Sequence, residues 1–199
     1  MSRALTVVAA TIAAVATAGC RLDSRTDNYG EDNPRSYGVG HAVDSVRLAA
    51  LDIDVSPSGV GLPAGSGSAA QGAAVYTAAC ASCHGANGEG KPPYPALLGG
   101  GRGAFNFAND TKKVKTIGNY WPYATTLFDY IRRAMPVTAP GTLTADQTYA
   151  VIAYLLEREQ VIPAGTVLDA TSLPKVQMPA RDHFVVDDRA GNRGGKDVK

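Results

Sequence analysis

Three residues within a run of five have the types and spacing that covalent cofactor attachment requires. In Cys80-Ala-Ser-Cys83-His84, two thiols stand three positions apart and an imidazole follows directly. Each thiol can add to a vinyl group of haem, and the adjacent histidine can bind the iron. The sequence therefore predicts one haem c, attached through Cys80 and Cys83, with His84 as the proximal iron ligand.

Chance and other thiol chemistry explain this run less well. With three Cys and three His in 199 residues, such a run arises by chance in roughly one sequence in a thousand of this composition. A structural zinc site needs four ligands, and the sequence has no second cluster of Cys or His. A thioredoxin-type dithiol needs a βαβ context, which the flanking sequence lacks.

The second axial position of the iron separates an electron carrier from a catalyst. A thioether there would raise the reduction potential and close the iron to substrates. Met135 is favoured because it precedes Pro136, so that a helix over 127–134 must end there. Met178 also precedes a proline but has no predicted helix to return it to the core. The alternatives to Met135 are Met178, His41, His183 and an open site.

Two capping boxes predict where helices begin. Ser68 with Gln71 starts the helix that carries Cys80 at its end, and Thr144 with Gln147 starts a final helix. The buried stripe of the final helix is predicted to consist of Val151, Ile152, Leu155 and Leu156. The elements around the attachment run are thus helical, which predicts an all-α fold of a few short helices around the haem.

Other residues are candidates to contact the cofactor or a partner. The backbone carbonyl of Pro95 could accept a hydrogen bond from His84 and fix the orientation of its ring. Trp121, in the run Tyr120-Trp-Pro-Tyr123, could line the haem pocket, although a plain core cluster explains it equally. A basic ring for docking could consist of Lys112, Lys113, Lys115, Arg132 and Arg133.

The first twenty residues indicate export. One basic residue, an apolar run and small residues predict a signal peptide over 1–19, and Ala18-Gly19-Cys20 resembles the end of a lipobox, which would make Cys20 an acylated residue. The predicted location is therefore periplasmic, on a membrane face. The further division is a tether and extended segment over 20–67, a haem domain over 68–162 and an extension over 163–199 with a disordered end. A net charge of +1 does not favour nucleic acid as a partner.

The pattern resembles class I cytochrome c. Gly72 and Tyr76 precede Cys80 by the spacing at which the family's first helix crosses its last, and Val151-Ile-Ala-Tyr154-Leu resembles the motif of that last helix. Pro95 and Met135 match the family's proline and distal ligand. Segments 59–67, 118–136 and 168–182 further resemble the cytochrome subunits of molybdenum sulfite and sulfane dehydrogenases of sulfur-oxidising bacteria.

The resemblance implies an electron-transfer protein rather than an enzyme in its own right. Its donor would be a molybdopterin-containing dehydrogenase subunit, and its acceptor a downstream cytochrome or oxidase of the respiratory chain. Two alternatives are open at this stage: a carrier that serves another dehydrogenase or oxidase, and a catalytic haem acting on thiosulfate or peroxide. One Cys-x-x-Cys-His run predicts one haem.

Overall fold

The computed structural model describes residues 40–100, 105, 107, 110 and 112–185. The signal peptide, Cys20, most of the tether and the end of the chain lie outside the described residues. Contacts divide the chain into two units, Met1–Val43 and Asp44–Lys199; the described residues of the first, 40–43, are exposed and carry no helix or strand. Among the helices that the structure describes, none is long and apolar enough to cross a membrane.

The second unit is mainly helical, as the sequence predicts. A two-stranded sheet, which the sequence pattern did not predict, is also present, as are 3₁₀ turns at Leu173–Lys175 and Arg181–His183. The helices and strands in chain order are α1 (Ser45–Leu51), β1 (Ser66–Ser68), α2 (Ala69–Ala79), α3 (Ala81–His84), α4 (Ile117–Tyr120), α5 (Ala124–Ala134), α6 (Ala145–Arg158) and β2 (Val167–Asp169).

Local side-chain bonds set the ends of the main helices. At the start of α2, the Ser68 N–H donates to Gln71 Oε1 (2.9 Å), and Thr144 with Gln147 forms the same box at the start of α6. Helix α5 ends at Ala134, and Met135, which precedes Pro136, is extended with φ −123° and ψ 147°. Both predicted capping boxes and the predicted end of α5 are therefore confirmed.

Helices α2 and α6 cross in backbone contact. Gly72 of α2 lies so near α6 that a Cβ atom there would stand 1.9 Å from the Ala150 carbonyl oxygen. One turn later, the rings of Tyr76 and Tyr154 pack with their centroids 5.2 Å apart. Only a residue without a side chain allows this approach, so Gly72 fixes where the cysteine-bearing helix meets the last helix.

The apolar core lies between α5 and α6. The rings of Phe128 on α5 and Tyr149 on α6 pack 4.6 Å apart, and both side chains are fully enclosed. All four residues of the predicted α6 stripe are buried: Val151, Ile152, Leu155 and Leu156. This burial confirms the helical pattern predicted for the end of the haem domain.

The segments on either side of the haem domain are part of this core. Strand β1 pairs antiparallel with β2, with Gly67 opposite Leu168. The residues after β2 continue inward, and Leu168, Leu173 and Met178 are each at most 3% exposed. The expectation that Met178 has nothing to return it to the core is therefore wrong, because β-pairing and the 3₁₀ turn at Leu173–Lys175 do so without a helix.

Two buried tyrosines predict a loss of stability in alkali. The Tyr76 hydroxyl donates to the Gly85 carbonyl (2.8 Å) and the Tyr149 hydroxyl to the Pro63 carbonyl (2.9 Å). Burial, the largest cause, raises the pKa of each phenol to about 12. Folding therefore favours the neutral phenols, and this contribution is complete below about pH 10 and declines as pH rises toward 12.

Guanidinium unfolding midpoints between pH 8 and pH 12 would measure this decline. In Tyr149→Phe the midpoint is expected to start lower, through the lost hydrogen bond, and to fall less steeply with pH than in the wild type. Parallel curves for the two proteins would contradict the assignment.

Candidate haem-binding site

The attachment run lies where α2 gives way to the single turn of α3. Cys80 is the C-cap residue of α2. Its backbone carbonyl accepts hydrogen bonds from the N–H groups of Cys83 (3.2 Å) and His84 (2.9 Å). Gly85, at φ +84°, then turns the chain away. Because of this tight turn, Cys80, Cys83 and His84 form one half-buried group, and neither thiol is in a disulfide.

The ring of His84 is held by a backbone carbonyl. Its Nδ1 lies 2.9 Å from the Pro95 oxygen, which is the contact expected from the sequence. A carbonyl can only accept, so Nδ1 carries the hydrogen and Nε2 keeps its lone pair. The imidazole is therefore in the tautomer and orientation that can bind an iron.

The loop between His84 and Pro95 closes on its own backbone. The Gly90 N–H donates to the His84 carbonyl (2.7 Å), and the Leu97 N–H donates to the Gly88 carbonyl (2.8 Å). Gly88 is at φ +78° and packs directly on Leu98. These bonds, with a single antiparallel β-bridge between Lys91 and Tyr94, fix Pro95 relative to His84 although the loop contains no helix and no longer strand.

Comparison with known proteins agrees with this geometry. The cytochrome c family model matches residues 69–159. A chain in the crystal structure of the sulfane dehydrogenase SoxCD from Paracoccus pantotrophus is 38% identical, with a TM-score of 0.68, over 79% of this chain and 76% of that chain. The chain belongs to the cytochrome c family. Among curated proteins, none matches it.

Membership of the cytochrome c family makes the cofactor a covalent haem c, bound through Cys80 and Cys83. When bound, its iron takes up and releases one electron at a time. Burial, and secondarily the neighbouring Cys83, raises the pKa of the Cys80 thiol to about 11. Cys80 is therefore a neutral thiol at neutral pH, and its conversion to a neutral thioether buries no charge.

The residues predicted to surround the haem lie along the edge of one core. Cys80, Trp121 and Met135 are each half-buried and pack against the same apolar cluster. Haem is planar and largely apolar, so it needs apolar side chains along its face and side chains that can reach the iron at its centre. The residues present therefore fit the haem of a cytochrome c.

The candidate axial ligands have different environments. Met135 is half-buried at the end of α5, whereas Met178 is 3% exposed within the core. His183 is exposed and stacks on Phe105, with ring centroids 3.8 Å apart, and His41 is exposed. Of these four, Met135 is the side chain that combines an apolar edge position with partial access.

Trp121 already has a protein partner for its indole. The Nε1–H donates to Thr126 Oγ1 (3.0 Å), and the ring lies 5.5 Å from that of Tyr130. With its donor engaged, Trp121 can contribute an apolar wall rather than a hydrogen bond to a propionate. Its role in haem binding stays a prediction.

Asn119 was missed by the sequence analysis. Its side chain is fully buried and donates from Nδ2 to the carbonyls of Gly100 (3.0 Å) and Val114 (3.1 Å), while its Oδ1 accepts from the Thr116 N–H (2.7 Å). Asn119 thus holds together Gly100 and Val114, which are fourteen positions apart in the sequence. A polar residue between Ile117 and Trp121 was the available signal.

Four of the five basic residues expected to form a docking ring also make contacts within the chain. Arg133 pairs with Asp129 on the same helix, and Arg132 donates to the Ile53 carbonyl (3.4 Å). Lys115 lies over the ring of Tyr120, 4.4 Å from its centroid. Lys113 likewise lies over the ring of Phe107, and Lys112, Lys115 and Arg133 are exposed, so that docking through these five residues stays a prediction.

Proposed function

We propose that this cytochrome accepts single electrons from a molybdenum-containing sulfite or sulfane dehydrogenase subunit and passes them to the respiratory chain. The extent of similarity carries the proposal. The family model covers residues 69–159, less than half of the chain, whereas the match to a SoxCD chain covers 79% of it. The likeness therefore includes segments outside the haem domain, which a generic cytochrome c does not need.

We propose Met135 as the sixth ligand of the iron. It stands at the end of a helix, half-buried at the edge of the core, whereas Met178 lies within the core. Ligation by His84 and a methionine raises the reduction potential and leaves no open position for substrates. This arrangement suits a carrier, and any oxidation of a sulfur compound would take place on the donor subunit.

The location is a proposal as well. The signal peptide over 1–19 and the lipobox-like Ala18-Gly19-Cys20 support a periplasmic protein anchored through acylated Cys20. An anchored cytochrome would stay beside membrane-bound acceptors. Labelling of cells with a radioactive fatty acid, compared between the wild type and Cys20→Ala, would test the anchor.

The donor can be tested with the full-length, haem-loaded protein. A tagged chain purified from its own cells is expected to bring down a molybdenum-containing subunit, and sulfite or a sulfane substrate should then reduce the haem. A matched Cys80→Ala/Cys83→Ala chain, purified in the same way, should show no haem reduction. Absence of molybdenum from the preparation, together with no reduction by either substrate, would contradict the proposed donor.

A further inference from the structure

A segment ahead of the haem domain is bound along the outside of α5. Residues 53–57, here called the strap, run beside the helix. Hydrogen bonds join side chains of α5 to backbone atoms of the strap. The three hydrogen bonds are Thr125 Oγ1–H to Pro57 O (3.0 Å), Val55 N–H to Asp129 Oδ1 (2.8 Å) and Arg132 Nη1–H to Ile53 O (3.4 Å).

The spacing of these bonds follows one face of α5. On α5 the partners stand at positions i, i+4 and i+7, which share one face of a helix. The three strap residues that they bind, Pro57, Val55 and Ile53, are two positions apart, so the strap runs antiparallel to the helix. Seven helical residues rise about 10 Å, which is the length of helix that the strap bonds span.

Asp129 is the central residue of this contact. The residue is 9% exposed, and Val55, from whose N–H the carboxylate accepts a hydrogen bond, is 5% exposed. Arg133 binds both carboxylate oxygens, Oδ1 through its Nε–H (2.9 Å) and Oδ2 through Nη2. Removal of the carboxylate would leave a buried backbone N–H without an acceptor, because water has little access there.

The chain beyond α5 offers little other support for Met135. The Met135 N–H donates to the Ile131 carbonyl of α5 (3.0 Å). Residues 137–142 are all exposed, and the hydrogen bonds of this segment are local, such as Ala139 N–H to Pro136 O (2.9 Å). The position of Met135 therefore follows the position of α5.

We propose that Asp129 is a positioning residue for the axial ligand: by fastening the strap to α5, it holds Met135 in place and slows its exchange with external ligands. This inference rests on the ligation by Met135 proposed above. In this proposal, the segment before the haem domain stabilises the position of the axial ligand through the backbone hydrogen bonds of the strap.

Ligand exchange in the ferric, full-length protein tests the proposal. Cyanide can bind only when the sixth ligand has left, so its binding rate reports how often Met135 is released. Asp129→Ala is expected to bind cyanide about tenfold faster, the effect of one buried hydrogen bond, and Thr125→Val about threefold faster. Arg133→Lys keeps a cation beside the carboxylate of Asp129 and leaves the strap bond in place, and should stay within about twofold of the wild type.

A purely structural role would give a different pattern. On heating, the thioether-to-ferric charge-transfer band of Asp129→Ala should disappear below the temperature at which helical circular dichroism is lost, whereas the two changes coincide in the wild type. Unchanged cyanide rates in Asp129→Ala and Thr125→Val would overturn the proposal even if both proteins unfold at lower temperature. If Asp129→Ala cannot be obtained folded, the Thr125→Val rate relative to Arg133→Lys decides in the same way.

Failure of the ligand assignment would be recognisable separately. A wild-type protein that lacks the charge-transfer band and binds cyanide as fast as Met135→Ala would contradict ligation by Met135. A wild type with the band and slow cyanide binding, but with variants equal to it, would contradict only the role of Asp129.

Discussion

Replacement of Gly72 by alanine is expected to destabilise the cytochrome by about 2 kcal/mol or more, although alanine favours a helix over glycine by about 1 kcal/mol. The added Cβ would stand 1.9 Å from the Ala150 oxygen and 2.5 Å from its carbonyl carbon. Both are backbone atoms within α6, which cannot rotate aside as a side chain could. Helices α2 and α6 would have to separate, and α2 carries Cys80.

A substitution at an exposed position of the same helix provides the control. Ala78 is exposed on α2, and Ala78→Gly should cost only the propensity difference of about 1 kcal/mol. Guanidinium unfolding of the haem-loaded proteins, followed by circular dichroism, measures both. A Gly72→Ala protein as stable as the wild type would show that the helices do not meet at this residue.

Features set by neighbouring residues could be predicted from the sequence. Each capping box joins residues three positions apart, and Pro136 restricts the backbone of Met135 directly before it. Both interacting residues are therefore visible in a short stretch of sequence. The Cys80-Cys83-His84 run is likewise a local arrangement. For this reason the starts of α2 and α6, the end of α5 and the attachment site are where the sequence places them.

Contacts between distant residues could not be predicted in this way. The bond from Val55 to Asp129 spans 74 positions and uses a backbone N–H, which has no sequence signature. Arg132 and Arg133 appeared available for docking because charge alone does not show that Ile53 and Asp129 lie beside them. Met178 was expected outside the core because the pairing of β1 with β2 joins residues about one hundred positions apart.

Met135→Ala is expected to have the largest effect on the electronic properties of the protein. Loss of a thioether ligand should abolish the thioether-to-ferric charge-transfer band and lower the reduction potential, on the order of 0.1–0.2 V within the roughly 0.8 V over which protein surroundings move haem. Cyanide should then bind without waiting for a protein ligand to leave. Optical spectra, redox titration and cyanide kinetics of the purified protein would measure the three effects.

Met178→Leu is the matched control, because it removes the other internal thioether while nearly preserving volume. Its side chain is enclosed in the core at 3% exposure, so the cost should be below about 1.5 kcal/mol of stability, with the band and potential unchanged. The opposite pattern, in which the band survives Met135→Ala but not Met178→Leu, would make Met178 the ligand. Such a result would require the C-terminal extension, rather than α5, to carry the ligand, and the strap would then have no part in holding it.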